Sequence, residues 1–241
     1  MDPIEKNNIS LQDELQHWWI KTRLLYIDKV IGLIKKDEIN ILEYGCGTGQ
    51  NIYYLNLKKK KINEINYVYG IDPNIEDNFQ PEWVSNKINF IKNDKELNNK
   101  FDLIITMDVL EHLEDDYFYL KEWIKKLNKG GIILITVPAF NHLWSVHDKK
   151  LKHKRRYNKT KLLNLSNRLN LEKIHLHYIF SYMYPIVFLI RKVFKINRLD
   201  NMNVPNTIIN KFLIFLGKIE YLLNGSNICG TSVIGIFRKN N

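Results

Sequence analysis

Apolar residues fall into two kinds of run along this chain. Between residues 10 and 35, Trp18, Trp19, Leu24, Leu25, Ile27, Val30, Ile31 and Ile34 recur at helical spacing, which predicts a helix there. From Ile39 onward the pattern changes. "INILEY", "NYVYGID", "KINFIKND", "FDLIITMD" and "IILITVP" are rich in Ile and Val with little alternation. Such runs read as strands buried on both faces. Between them lie helical stretches, "GQNIYYLNL" and "DDYFYLKEWIKKLNKGG". Gly130 and Gly131 stand beyond the second, where a left-handed stop belongs, and Pro138 closes the strand that follows. Strands alternating with helices imply an α/β domain, a doubly wound parallel sheet covered on both faces.

The last third differs. "KTKLLNLSNRL" reads as a helix, "LEKIHLHYIF" as a strand, and "TSVIGIFRK" as a terminal strand. Residues 182–225 between those strands read as an insertion of apolar helices. The pair of strands then fits an addition at one edge of the sheet. The expected organisation is one domain over 1–241: an N-terminal helical cap (1–37), the core sheet (38–181), the insertion (182–225) and the terminal strand (226–241). The longest uncharged apolar run, "YIFSYMYPIVFLI" from Tyr178 to Ile190, contains Pro185. It is shorter than the roughly 18 to 20 residues a bilayer span requires. It reads as a buried or interfacial segment.

Composition adds constraints. The 241 residues are 45% hydrophobic, enough for a full core. The formal charge of +10 favours acidic partners: nucleic acid, an anionic lipid surface or a phosphorylated substrate. The run Lys58 to Lys61 reads as a solvated helix end or loop. Two cysteines, Cys46 and Cys229, make no disulfide framework and point to a reducing compartment. The N-terminus "MDPIEKNNISLQDE" lacks the features of a signal peptide. A cytoplasmic location is expected, with peripheral contact at the inner membrane surface through 182–225 left open.

The stretch "ILEYGCGTGQ" carries the first chemistry. A strand, a glycine turn and a helix form the architecture that grips a nucleotide-like ligand at a helix N-terminus. The dinucleotide fingerprint would place glycine or alanine at position 50, where Gln50 stands. A pyrophosphate seat, and with it an NAD-dependent oxidoreductase, is disfavoured. Asp72, ending the next strand in "VYGIDPN", is placed to accept hydrogen bonds from ribose hydroxyls.

These residues resemble the class I S-adenosylmethionine-dependent methyltransferases. The similarity covers "ILEYGCGTG", "VYGIDPN", "FDLIITMDVLEHLEDD" and "LNKGGIILITVP" in family order. It implies a Rossmann-like, seven-stranded, mostly parallel sheet with its last strand antiparallel, and S-adenosyl-L-methionine as cofactor. It implies that Gly45 and Gly47 lie against the methionine part, that Asp72 holds the ribose, and that Asp94 sits by the adenine amino group. Met107 and Asp108 would lie beside the cofactor. Glu43 and Cys46 belong to the same motif; Glu43 is expected to position the loop and Cys46 to act as a small packed residue. "HWWIKTR", "LWSVHD", "HKRRY" and "VPNTIINKFLIFLGKIEYLL" look like one subgroup of the family. In the wider family an N-terminal aromatic and Arg can close over the cofactor, which makes Trp18 and Arg23 candidates. The subgroup usually has Gly before the second His of "GHRRRY"; Lys152 stands there, so that turn is expected to differ.

The loop "PAFNHLWSVHDKKLKHKRRYNKT" follows the fifth strand, on the edge where open parallel sheets build their sites. Four roles compete for it. His147 with Asp148 could form a general base that deprotonates an acceptor hydroxyl. Arg155, Arg156 and nearby lysines could clamp a phosphate or carboxylate. The histidines with Asp148 could bind a metal, although their spacing matches no strong zinc pattern, and no metal is expected. Or the loop could fold on itself and only shape the wall. His112, His142, Trp144, His153, Arg155, Arg156 and Tyr157 are the candidates for contact with substrate.

The reading is a methyltransferase acting on oxygen of a small-molecule, sugar-linked or lipid-linked acceptor by in-line transfer. An RNA methyltransferase and a non-catalytic cofactor-binding scaffold are the alternatives. Nucleic acid is disfavoured. "TMDV" replaces the Asn/Asp-Pro-Pro-aromatic motif of exocyclic-amine DNA methylases, and neither cysteine follows a proline as in cytosine C5 methylases.

Overall fold

The computed structural model describes residues 10–58, 64–76, 79–95, 97–193, 205–223 and 227–240. The first nine residues of the expected cap, Lys59 to Lys61 of the lysine run, and 194–204 and 224–226 of the expected insertion lie outside the described residues.

Seven strands form one sheet: β1 (Glu38–Tyr44), β2 (Glu64–Ile71), β3 (Ile88–Ile91), β4 (Phe101–Met107), β5 (Leu127–Pro138), β6 (Leu171–Ile179) and β7 (Ser232–Lys239). Their order is β3-β2-β1-β4-β5-β7-β6. The pairings of β3, β2, β1, β4 and β5 are all parallel. β7 runs antiparallel to both β5 and β6, so it slots between them as the one reversed strand. This is the Rossmann-like arrangement with an antiparallel last strand. Strand order reverses between β1 and β4. The crevice beyond the carboxyl ends of those two strands is where such sheets bind ligands.

Successive strand residues face opposite layers. Ile41, Leu103 and Leu134 enter a core shared with Ile27 and Ile52, beneath α2 (Trp18–Leu33) and α3 (Gln50–Lys58). Their neighbours Leu42, Ile104 and Ile133 enter a second core with Leu120 and Leu162, beneath α4 (Asp116–Lys125) and α6 (Lys159–Arg168). Both faces of β4 are buried, which is why "FDLIITM" shows no polar alternation.

Two boundaries differ from the sequence expectation. The helix predicted over 10–35 is broken: α1 (Leu11–Glu14) ends before His17, whose ring Nδ1 accepts from the Trp19 amide and caps α2. The helix predicted to run towards Gly130 stops at Lys125. Leu127 is already strand, paired with Phe101 and buried. Gly130, at φ +71°, serves a register irregularity at the start of β5 rather than a helix end. Burial of Leu127 outweighs the helical propensity of "KKLNK".

The insertion supplies α7 (Tyr184–Phe188), a π-helical turn (Leu189–Val193) and α8 (Thr207–Leu222). α8 is fastened to the cap. Asn210 accepts from the Trp18 amide at 2.9 Å and donates to the Gln16 carbonyl at 2.8 Å. Gly217 permits the crossing with α2, since a Cβ there would stand 2.2 Å from Thr22 Oγ1. The buried Glu220 carboxylate takes the amides of Phe180 and Ser181, tying α8 to the end of β6. Among the described residues no helix is long and apolar enough to cross a membrane.

Candidate functional site

The turn after β1 is built by glycine geometry. Gly45, Gly47 and Gly49 take φ of +69°, +54° and +79°. At Gly45 the demand is also steric: a Cβ would lie 2.3 Å from Val109 Cγ2, in the segment that follows β4. The two carboxyl-end loops therefore touch through a backbone with no side chain. Asp72, just past β2, accepts from the Gly47 amide at 3.0 Å through Oδ2 and from the Asn74 amide at 2.9 Å through Oδ1. Each carboxylate oxygen retains a lone pair for a further donor.

Glu43 lies beneath the turn, buried, with Oε1 accepting from Asn51 at 2.6 Å. Its Oε2 has no partner. Burial pushes the Glu43 carboxyl up to about 7, and the Asn51 hydrogen bond only partly offsets it. Cys46 is also buried, and burial pushes its thiol up, so it is no nucleophile at neutral pH. Met107 ends β4, its sulfur 3.7 Å from Asn51 Nδ2.

Arg23 reaches from α2 across the crevice. It pairs with Asp108 at 3.1 Å and donates to Thr136 Oγ1 at 3.3 Å. Its guanidinium lies 4.1 Å over the ring of Trp19, so Trp19, not Trp18, is its aromatic partner. Trp18 packs edge-on against Phe180 and Tyr182 instead. Asp108 itself sits at φ +57°. Asp94 is drawn towards the α4 face: Tyr44 Oη donates to it at 2.6 Å and Lys126 lies 3.5 Å away.

The loop after β5 is organised around one buried carboxylate. In α5 (Val146–Lys150) Asp148 forms a capping box with Ser145. Arg156 grips it at two points, Nε to Oδ1 at 2.7 Å and Nη2 to Oδ2 at 3.0 Å. His153 Nδ1 lies 3.0 Å from Oδ1. Burial alone would raise the Asp148 carboxyl, but His153 and Arg156 hold it well below the usual range. An imidazole joined to Asp148 is thus that of His153, where the sequence expectation named His147. The turn after α5 explains why. Lys152 adopts φ +56°, its amide donates to Lys149, and the His153 amide returns to the Asp148 carbonyl. This Schellman stop folds residue 153 back over residue 148. It is a glycine-like turn made by lysine.

The other expected substrate contacts divide. Arg155 is spent on the carbonyls of Leu113 and Glu114 and on Asp116, and Arg156 on Asp148 and the Ala139 carbonyl. Neither is a free anion clamp. Tyr157 is buried, bridged to Ala139, with its hydroxyl on Asp116 at 2.7 Å. These three build the loop. His142 is exposed, stacked on Phe140 and bonded to Tyr184 Oη at 2.9 Å. Trp144 and His147 are half-buried.

His112 and His153 meet edge-to-face at 4.7 Å beside Glu111. Donor atoms of the three lie within 4.8 Å of one another, so the cluster has the composition to take a divalent cation. Glu111 is buried, its Oε2 has no partner, and burial followed by repulsion from Asp108 pushes its carboxyl well above the usual range. Sequence reasoning passed over Glu111, Trp19 and Thr136. Glu111 had a signal: an acid beside His112 immediately after a buried strand.

The donor set fits a nucleoside cofactor bearing a charged amino-acid tail. A glycine cradle, an acid at the end of β2, and orphaned buried polar atoms on Glu43 and Arg23 converge at the switch point. Comparison with known proteins agrees. The family model described as a methyltransferase domain matches residues 17–176. A ubiquinone biosynthesis O-methyltransferase of Rickettsia bellii is 25% identical over 156 residues, covering 56% of this chain and 63% of that protein. The chain thus spans a little under two thirds of that relative. A SAM-dependent methyltransferase from Archaeoglobus fulgidus has the same fold, with TM-score 0.55 and 19% identity over 92% of this chain and 93% of that one. So has the plantazolicin methyltransferase BamL, solved in complex with a triazolic desmethylPZN analogue and SAH, with TM-score 0.57 and 15% identity over 94% of this chain and 85% of that one. A methyltransferase-domain match over most of the chain, on this sheet and this glycine turn, means that the chain belongs to the class I S-adenosylmethionine-dependent methyltransferases, with S-adenosylmethionine as its cofactor.

Proposed function

We propose that this enzyme methylates a hydroxyl oxygen of a small-molecule, sugar-linked or lipid-linked acceptor, with His153 as general base and Asp148 as its positioning partner. The observation that carries the reading is the 3.0 Å contact between His153 Nδ1 and the buried Asp148. A carboxylate on Nδ1 fixes the tautomer with Nε2 unprotonated, the form that accepts a proton. The O-methyltransferase relative supports oxygen as the acceptor atom.

When bound, S-adenosylmethionine supplies a methyl group on a positively charged sulfur, already activated for displacement. In this reading Gly45, Cys46 and Gly47 would hold its amino-acid end with Glu43 positioning the turn, Asp72 would hold the ribose hydroxyls, and Asp94 would serve the adenine. Met107 and Asp108 flank it, and Arg23 with Trp19 covers the crevice from α2. His153 Nε2 would accept the proton that the acceptor hydroxyl gives up. Trp144, His142 and His147 wall the acceptor side. Arg155 and Arg156 are occupied, so any phosphate contact from this loop would fall to its exposed lysines, Lys149, Lys150 and Lys152.

The test is methyl transfer from labelled cofactor to matched panels of phenols, sugar hydroxyls and amines. Turnover is expected with a hydroxyl acceptor. His153→Gln should lower kcat roughly 10²- to 10⁴-fold, the usual worth of a general base, while S-adenosylhomocysteine binds as before. Transfer confined to amines, or an indifferent His153→Gln, would sink the proposal. The 4.8 Å cluster of Glu111, His112 and His153 favours a second reading, in which a divalent cation activates the hydroxyl. Exhaustive chelation separates the two: it leaves a base-driven rate unchanged and abolishes a metal-driven one.

A further inference from the structure

α8 buries one side against α2 through Asn210, Gly217 and Glu220 and turns a continuous apolar stripe outward. Ile208, Phe212, Phe215, Ile219 and Leu222 recur at intervals of four and three residues, so they share one face. They are 81%, 58%, 56%, 38% and 77% exposed. α7 and the π turn after it expose Ile186, Phe188, Leu189 and Ile190 as well. Scattered exposed apolar residues are ordinary, but a stripe of this length on one helix marks an interaction face.

The charge around the stripe decides between occupants. Lys211 and Lys218 are exposed on α8, and Lys192 is exposed at the end of the π turn. Among the described residues of 181–223, the one acid is Glu220, and it is buried on the Phe180 and Ser181 amides. Among the described residues of this segment, the face is therefore apolar and its exposed charges are cationic. A two-fold pairing of this face with a second copy would set lysines of like charge against one another. An anionic bilayer meets both features. Its acyl boundary takes Phe212, Phe215 and the aliphatic residues, while its headgroups take the lysines.

We propose that α8, with α7 beside it, is a monotopic membrane-binding face that lies in the plane of an anionic bilayer. The proposed mode is to lie on the membrane: among the described residues no helix is long and apolar enough to span it. The location has a consequence for access. Tyr184 and Phe188 of α7 touch His142, in the loop that walls the acceptor side of the site. A bilayer under α7 would bring an amphiphilic acceptor to that loop. The surface proposal itself stands on α7 and α8 and does not depend on the acceptor being a lipid.

The experiment is flotation of the full chain with vesicles of phosphatidylcholine alone and of phosphatidylcholine with roughly one third phosphatidylglycerol, at low and high salt. Binding is expected to the anionic vesicles and to fall with salt. Phe212→Ser with Phe215→Ser should lower the partition coefficient roughly tenfold or more, as should Lys211→Glu with Lys218→Glu. All four positions are exposed, so the variants should keep the wild-type melting temperature and S-adenosylhomocysteine affinity. Absence of binding to either vesicle overturns the proposal, as does binding that the variants leave unchanged. A wild-type dimer in sedimentation that Phe212→Ser with Phe215→Ser converts to monomer also overturns it, by assigning the face to a second copy.

Discussion

Asp148 accepts the Arg156 guanidinium side-on, Nε to one oxygen at 2.7 Å and Nη2 to the other at 3.0 Å. Both side chains are buried. Removing one partner of such a pair leaves the other charged and unsolvated, at a cost of about 3 to 5 kcal/mol. Asp148→Ala and Arg156→Ala are each expected to lower stability by that order in urea unfolding. The double variant should lose well under their sum, because no uncompensated charge remains. Additive losses would show that the pair is not a unit.

Lys152 occupies the left-handed position of the turn that returns His153 to Asp148. A residue with a Cβ is strained there by about 1 kcal/mol relative to glycine. Lys152→Gly is expected to raise stability by about that amount, with the His153–Asp148 contact intact and turnover unchanged. Loss of stability would mean that the lysine side chain holds the turn through contacts of its own.

Two buried groups oppose one another in pH. The Glu43 carboxyl is raised from 4.5 to about 7, chiefly by burial. Between those values the folded chain keeps a proton that the unfolded chain has shed, so stability falls as pH rises. His177, bonded to Tyr26 Oη at 2.9 Å, is lowered from 6.5 to about 4, again chiefly by burial. Between those values the unfolded chain binds a proton that the folded chain refuses, so stability rises with pH. Each slope amounts to about 3 kcal/mol over its window, and the windows overlap. The wild type should show little net dependence from these two groups between pH 4.5 and 6.5. Glu43→Gln should unmask stability that rises with pH, and His177→Gln stability that falls. Urea midpoints across that range check the signs. Parallel profiles for the two variants would refute the assignment.

The parts of the fold legible in the sequence were those fixed by local pattern. β4 could be read because both its faces are buried, leaving "LIIT" unbroken. The glycine turn could be read because three positive φ values within five residues demand a composition that little else does. The reversed strand was reached through family resemblance, since nothing within "TSVIGIFRK" says which way it runs. The 145–157 loop was legible as a concentration of chemistry but not as a set of partners. Asp148 stands beside His147 in sequence, yet a five-residue helix and a left-handed stop bring it His153. Arg155 and Arg156 look like a pair of free cations in one dimension. In three dimensions their donors are spent on separate carbonyls and carboxylates. Glu111 had a neighbour in His112 as its signal, but its burial and its approach to His153 are tertiary.

The glycine turn offers a test that separates shape from strain. Ala at position 45 meets two obstacles, the φ of +69° and a Cβ 2.3 Å from Val109 Cγ2. The first is a local cost of about 1 kcal/mol that no neighbour can relieve. The second depends on the valine, whose γ-methyl groups pack across the crevice from the turn. Gly45→Ala is expected to lower both the melting temperature and the affinity for S-adenosylhomocysteine, because the turn must move away from β4. Adding Val109→Ala removes the Cγ2 atom that is struck. The double variant should recover most of the affinity while keeping a residual stability loss of about 1 kcal/mol from the left-handed backbone. Calorimetry with S-adenosylhomocysteine and thermal melts of both variants report the two quantities separately. Should Val109→Ala fail to restore affinity, the contact between the two carboxyl-end loops is not what shapes the cofactor seat, and the backbone conformation of Gly45 alone carries that role.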